Sequence, residues 1–285
     1  MSTDDQRSRS VLERADSILE AFDTDHASLT LLGIVARTGL PKTTVHRTVH
    51  KMMELGWIEC HEGRYVVGAR LFERATLAGD RLDLRHAAFP FLEELQAATQ
   101  ETVHLAILEG PDVLLLQRLV GRRPPVSLRT VGGRVPALCT ALGKSLVAFS
   151  PMDIGEEIIA AGLPARTPNT VTSAVRMRQE LARIRGEGTG YDRGEFDLGL
   201  RCIAATVMGP SGAAVGAVSV TAPGERLPFA RFAPLVRYAA EQTSHSLAGR
   251  LPHGRPAGPV QRSRCRAQHA FPARPDVAPP GGGQR

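Results

Sequence analysis

Between positions 42 and 51 the chain places Lys42, Thr43, Thr44, His46, Arg47, His50 and Lys51, with no acid before Glu54. Ammonium and guanidinium groups pair with phosphate, and hydroxyls, imidazoles and the guanidinium fork bond to the edges of nucleic-acid bases. Arg37, Lys42, Arg47 and Lys51 likewise have no acid between them. Arg64 comes just after the polar His61-Glu62-Gly63, where it is placed to touch phosphate. A second chemistry is open to His46 and His50, which stand four apart and can share a metal on one helical face. No acid or cysteine completes a ligand set, so the residues point to DNA contact without a metal or cofactor.

Farther along, Cys139 and Cys202 raise thiol chemistry, with His104 the only histidine in the core strands. A catalytic thiolate needs a base or cation to lower its pKa and a partner to orient that base. The alternation of Val103, His104 and Leu105 leaves the face of His104 ambiguous, and buried structural cysteines are the preferred reading over an enzyme. Gly143-Lys144-Ser145 resembles the end of a phosphate-binding loop, but that motif needs glycine at position 138, which is Leu138. Gly186, Gly188 and Gly190 imitate a nucleotide fingerprint, yet they follow a helix and read as its cap and turn. The stretch Tyr191 to Ala205 puts acids and glycines just before a buried strand, and Ser219 and Thr221 share a strand face. A small apolar pocket with a few hydroxyls and a thiol suits a small ligand such as an organic acid.

The elements that must hold these groups follow from periodicity and caps. Val11 to Phe22 carries a 3.6-residue apolar stripe behind Ser10 as N-cap, and Asp23 to Ser28 reads as a loop. Thr30 caps a short helix with Leu31, Ile34 and Val35 inward, ending at Gly39. Pro41 opens the basic helix, whose Val45, Val49, Met52 and Met53 form the opposite stripe. Helix, glycine turn, basic helix is the helix-turn-helix arrangement, and the runs Trp57 to Cys60 and Arg64 to Val67 about His61-Glu62-Gly63 add a wing. Gly68 to Gly79 reads as a linker helix and a dimer contact.

Beyond it, a helix over Leu82 to Gln100 has Phe89, Leu92, Leu95 and Ala98 on one side and Pro90 as a kink or break. Strands follow at Thr102 to Leu108, Asp112 to Gln117, Val126 to Val131, Cys202 to Met208 and Ala213 to Thr221. Helices are expected at Ala141 to Phe149, Asp153 to Ala160, Ala174 to Arg185 (Val175, Leu181 and Ile184 inward) and Pro228 to Leu247. Strands and helices do not alternate strictly, so the fold class is α+β with a largely antiparallel sheet.

Composition bounds the reading. The net charge of +6 divides into −2 over residues 1–80, +3 over 81–250 and +5 over 251–285, so global charge says little about DNA and local patterning carries the case. No run approaches a membrane span, Met1 to Ser10 lacks the apolar core of a secretory signal, and Cys60, Cys139, Cys202 and Cys265 are widely spread. A reduced cytoplasmic protein is expected. The tail from Pro252 is rich in proline, glycine and arginine and is expected to be disordered.

Three separated stretches carry a resemblance: Thr38 to Arg47, Ala137 to Ser145, and Gly194 to Ala205. With them the chain resembles the IclR family of bacterial transcriptional regulators from about Ser10 to Arg250. The resemblance implies a winged helix-turn-helix domain (1–67), a linker helix (68–80) and a GAF-like effector-binding domain (81–250) ahead of the tail (251–285). It implies a homodimer or dimer of dimers on a palindromic double-stranded operator, regulated by a small-molecule effector, with repression as the default. Lys42, Thr43, Thr44, His46, Arg47 and Arg64 then contact DNA. Ala141, Leu142, Asp192, Cys202, Ser219 and Thr221 match the family's effector pocket, although some members have Gly, Ala and Ser where this chain has Ala141, Leu142 and Thr221. The rival readings are a ligand-independent architectural DNA binder and a thiol enzyme built on the C-terminal domain.

Overall fold

A computed structural model describes residues 10–23, 26–121 and 130–249. Helix α1 (Val11–Glu20) starts at a capping box in which Ser10 Oγ accepts from Glu13 N and Glu13 accepts from Ser10 N. Helix α2 (Leu31–Thr38) starts where Thr30 Oγ1 accepts from Gly33 N at 3.1 Å and stops at Gly39, whose φ of 66° suits glycine. Helix α3 (Lys42–Glu54) then buries Val45, Thr48, Val49 and Met52 against Ile18, Ile34, Leu40 and Ile58. Strands β2 (Ile58–His61) and β3 (Arg64–Val67) form the wing hairpin.

Two expectations need correction here. Ser28 is not loop: β1 (Ser28–Leu29) pairs with β3, a strand too short for periodicity to reveal. Val11 and Leu12 are exposed, so the buried stripe of α1 begins at Ala15.

The wing continues into α4 (Ala69–Ala75) through a tight joint. Gly68 N donates to Trp57 O at 2.8 Å, and Glu59 Oε1 accepts from Ala69 N at 2.9 Å, capping the helix. A Cβ on Gly68 would lie 2.4 Å from Gly56 O, so only glycine allows this approach. Gly68→Ala is therefore expected to cost about 1–3 kcal/mol through forced backbone shifts, read as a lower unfolding midpoint and weaker DNA binding.

Helix α5 (Gly79–Thr99) runs through Pro90 without a break, and Pro90 lies on its exposed side. Its inward face is Leu84, Ala88, Leu92 and Leu95; Phe89 and Ala98, expected inside, face outward. The boundary drawn after residue 80 falls in the first turn of this helix.

The C-terminal sheet comprises β4 (Thr102–Glu109), β5 (Asp112–Leu119), β6 (Arg134–Pro136), β7 (Gly190–Asp192), β8 (Leu200–Met208) and β9 (Ala214–Pro223). Its order is β6-β5-β4-β9-β8-β7, and every pairing is antiparallel. On one face α5 and α9 (Phe229–Ala248) cover Val103, Leu105, Ile203, Val218 and Val220. On the other, α6 (Ala141–Ala148) and α8 (Ala174–Glu187) cover Ala106, Cys202, Ala204 and Ala217, with α7 (Met152–Ala160) beside α6. Met177, Leu181 and Ile184 form the buried stripe of α8, and Val175 is 62% exposed. The strand expected at Val126 to Val131 falls mostly outside the described residues, and Val131 itself sits in a turn before β6.

Candidate DNA interface and effector site

Pro41 gives α3 its start without needing an N–H, so Lys42 and Thr43 stand in the first turn, both exposed. The buried stripe on the opposite side leaves His46, Arg47 and His50 facing solvent, with Thr44 half-buried. Lys51 is tied to Glu54 at 2.7 Å. Arg37 is committed inside the domain: it donates to Ala21 O at 2.7 Å and pairs with Asp23 at 2.5 Å. The positive run counted in sequence therefore reduces to Lys42 and Arg47 as unoccupied cations on this helix. His46 and His50 meet at 3.2 Å between their Nε2 atoms. Arg64 remains exposed, but its guanidinium reaches back to Ser28 Oγ at 2.8 Å and Ser28 O at 2.7 Å. It pins the wing to β1, which leaves less of its fork for phosphate.

The register of the C-terminal sheet assembles a polar floor. Thr102, Thr221, Cys202 and Asp192 are successive partners across β4, β9, β8 and β7. The next row is His104, Ser219, Ala204 and Gly190, and both rows face α6. The small residues at the end of the second row let α6 come close: a Cβ on Gly190 would lie 2.4 Å from Ser145 Oγ. Gly143 of α6 is pressed against Ala137, which lies in a short 3-10 turn (Ala137–Cys139) just before the helix; a Cβ on Gly143 would be 2.2 Å from Ala137 O. Thr140 caps α6 by accepting from Gly143 N.

Over this floor lies a narrow cavity of about 30 Å³, lined by His104, Thr140, Leu142, Asp192, Cys202 and Thr221 with apolar Leu115, Val135, Phe196 and Leu200. Of the six expected effector residues, Leu142, Asp192, Cys202 and Thr221 line it. Ser219 stands in the adjacent row, and Ala141 is buried in the first turn of α6. His104 and Thr140 were not among the expected site residues; a polar residue in an otherwise apolar strand and a helix cap before Ala141 were the signals for them.

Burial controls the chemistry here. Desolvation raises Asp192 to about 7, against the pull of the Glu195 and Phe196 backbone N–H groups it accepts from. Burial likewise raises Cys139 and Cys202 to about 12, so both thiols stay protonated and neither is poised as a nucleophile. Burial, aided by Arg118, lowers His104 to about 3, leaving it neutral. On the same side of the sheet, within α6, Lys144 is fully buried and its Nζ meets Glu195 Oε1 at 2.6 Å and Glu180 at 3.6 Å. No group of three or more metal-ligating side chains occurs among the described residues.

Comparison with known proteins covers both halves. The family profile described as "IclR helix-turn-helix domain" matches residues 11–61, and that for "Bacterial transcriptional regulator IclR C-terminal" matches residues 76–245. The chain is 33% identical over 235 residues to the HTH-type transcriptional regulator Rv1719 of Mycobacterium tuberculosis, covering 79% of this chain and 88% of that protein. It is 30% identical over 217 residues to the HTH-type transcriptional regulator XynR of Escherichia coli, covering 74% and 84%. Among solved structures, an IclR homolog from Microbacterium hydrocarbonoxydans complexed with 4-hydroxybenzoate matches with a TM-score of 0.77 at 30% identity, covering 84% of this chain and 99% of that one. Two-part profile matches in the expected order, with relatives aligned over most of their length, place the chain in the IclR family of bacterial transcriptional regulators.

Proposed function

We propose that this protein is a repressor acting in the cytoplasm as a homodimer, alone or as a dimer of dimers, on a palindromic operator, and that a small organic acid in the C-terminal cavity sets its DNA affinity. The observation that carries the reading is the pairing of an exposed α3 face bearing unoccupied Lys42 and Arg47 with a buried pocket whose polar floor has no catalytic thiolate. Lys42, Thr43, Thr44, His46 and Arg47 supply the base and phosphate contacts, and Arg64 holds the wing in place beside them. Phe72 and Leu77, 73% and 76% exposed around α4, support a two-fold contact through the linker helix, which would set the spacing of two α3 helices. The bound 4-hydroxybenzoate of the Microbacterium protein supports an organic acid as the effector class.

A cavity this narrow must widen to admit an organic acid, and Leu142 on α6 is among the side chains that line it. The effector would thereby favour one placement of α6 over another, which is the differential affinity that gating needs.

The test is an operator selected from random DNA with the full-length protein. Arg47→Ala is expected to lose about 1–3 kcal/mol of affinity for that site if Arg47 reads a guanine, with relaxed preference at one base position. Binding equal to wild type on every sequence would remove Arg47 from the interface. An architectural DNA binder would instead show no selected consensus.

A further inference from the structure

We propose that His46 and His50 form a two-imidazole chelate for a divalent transition-metal ion of the Ni²⁺, Cu²⁺ or Zn²⁺ class, and that the bound ion competes with DNA for the face of α3. The site belongs to the N-terminal domain and owes nothing to the effector cavity. The competition rests on reading α3 as the DNA-contacting helix; the chelate itself does not.

The sequence supplies two histidines one helical turn apart and no third ligand. The structure adds where their nitrogens go. Nε2 of His50 lies 3.2 Å from Nε2 of His46, and the two rings are tilted against each other with centroids 4.4 Å apart. Metal–imidazole bonds are about 2.0–2.1 Å long, so two imidazoles at angles between cis square-planar and tetrahedral hold their nitrogens about 2.9–3.4 Å apart. The observed separation falls inside that span. Among the described residues neither Nε2 has another hydrogen-bond partner, and both histidines are exposed, so an ion with its water ligands reaches them from solvent.

The helix also preorganises the pair. Residues four apart stand one above the other on a helix. Val45, Val49 and Met52 on the other side of α3 are packed in the domain core, so the helix cannot turn its histidines away. Imidazole suits nickel, copper and zinc, whereas magnesium and calcium favour oxygen ligands. Glu54, one turn beyond His50, is held by Lys51 at 2.7 Å and stays outside the ligand set. Two protein ligands beside the cationic Lys42 and Arg47 make an exchangeable site, unlike the closed four-ligand sites that hold structural zinc.

Occupation has a consequence for DNA. Coordination uses the Nε2 lone pair of His46, which the proposed complex places at the DNA, and sets a hydrated ion next to Arg47. By linkage the operator must weaken ion binding by the same factor as the ion weakens operator binding.

Calorimetry of the untagged full-length protein with NiCl₂ tests the site; nickel is the probe because, unlike copper, it does not oxidise thiols such as Cys60. The wild type is expected to bind nickel at a site that weakens tenfold or more in His46→Gln and equally in His50→Gln, since a chelate loses one arm in each. His61→Gln on the wing should leave that site unchanged, and unaltered thermal unfolding would show that all three variants are folded. No nickel binding by the wild type, wild-type affinity in either α3 variant, or the same loss in His61→Gln would overturn the chelate. On an operator selected from random DNA, saturating nickel is expected to lower wild-type affinity tenfold or more, reversibly with EDTA. His50→Gln, compared with its own metal-free affinity, should show no such loss. An operator affinity that nickel leaves unchanged or raises, or lowers equally in His50→Gln, would overturn the competition. Failure of the regulator reading shows separately, as a protein that binds nickel through this pair but selects no DNA sequence.

Discussion

Replacing Lys144 by alanine is expected to destabilise the C-terminal domain by about 3–5 kcal/mol, because it leaves a buried carboxylate without its counter-charge. Lys144 is 0% exposed and Glu195 is 4% exposed, with Glu195 Oε2 already lacking a partner. Removing the ammonium takes away the 2.6 Å bond to Oε1 as well and opens a void beside α6. Glu180 suffers less, since Arg183 still holds it at 2.9 Å. For a domain of this size the loss corresponds to roughly 6–20 °C in the unfolding midpoint. The double change Lys144→Met with Glu195→Leu should recover most of it, since a packed apolar pair is commonly no worse than a buried ion pair. Thermal unfolding of the three proteins decides the matter: a single variant within about 1 kcal/mol of wild type would mean that the pair contributes no more than a surface bridge.

The second large effect concerns pH. Asp192 sits at about 7 because burial disfavours its ionised form. Below that pH it is a neutral acid able to donate its proton to an effector carboxylate; above it, two negative charges share a low-dielectric site. Binding of an organic acid should therefore be flat from about pH 5, above the effector's own carboxyl range, to pH 7 and fall about tenfold per pH unit above that, the signature of one proton bound together with the ligand. Asp192→Asn keeps a donor and cannot ionise, so its affinity should lose this slope. Calorimetry in buffers of different ionisation enthalpy measures the proton uptake directly. An unchanged slope in Asp192→Asn would assign the proton to another group.

The N-terminal domain was legible because every helix there announces itself twice, by an apolar stripe and by a cap. Ser10, Thr30, Gly39 and Pro41 all stand where local chemistry puts them. What escaped was non-local: the two residues of β1, and with them the bond from Ser28 that engages Arg64. The main strands of the C-terminal domain were legible from apolar runs about Gly110 and Gly212. Their faces were not, because β4 is covered on both sides and its first six residues are all buried. Alternation then says that His104 and Val103 point oppositely without saying which way, and only the register with β9 sets His104 beside Ser219. Strand β7 was hidden for a related reason: Gly190 reads locally as a turn residue, yet it is there to admit Ser145. The pocket residues Asp192, Cys202 and Thr221 were reached through the family resemblance and meet in one row of the sheet.

In the proposed function the cavity and the α3 face are energetically linked. It is tested most directly by measuring operator affinity of the full-length protein by fluorescence anisotropy with and without a saturating organic acid that calorimetry shows to bind. A change of tenfold or more is expected, lost when Asp192→Ala abolishes binding of that acid. An operator affinity that stays the same while the acid occupies the protein would contradict it.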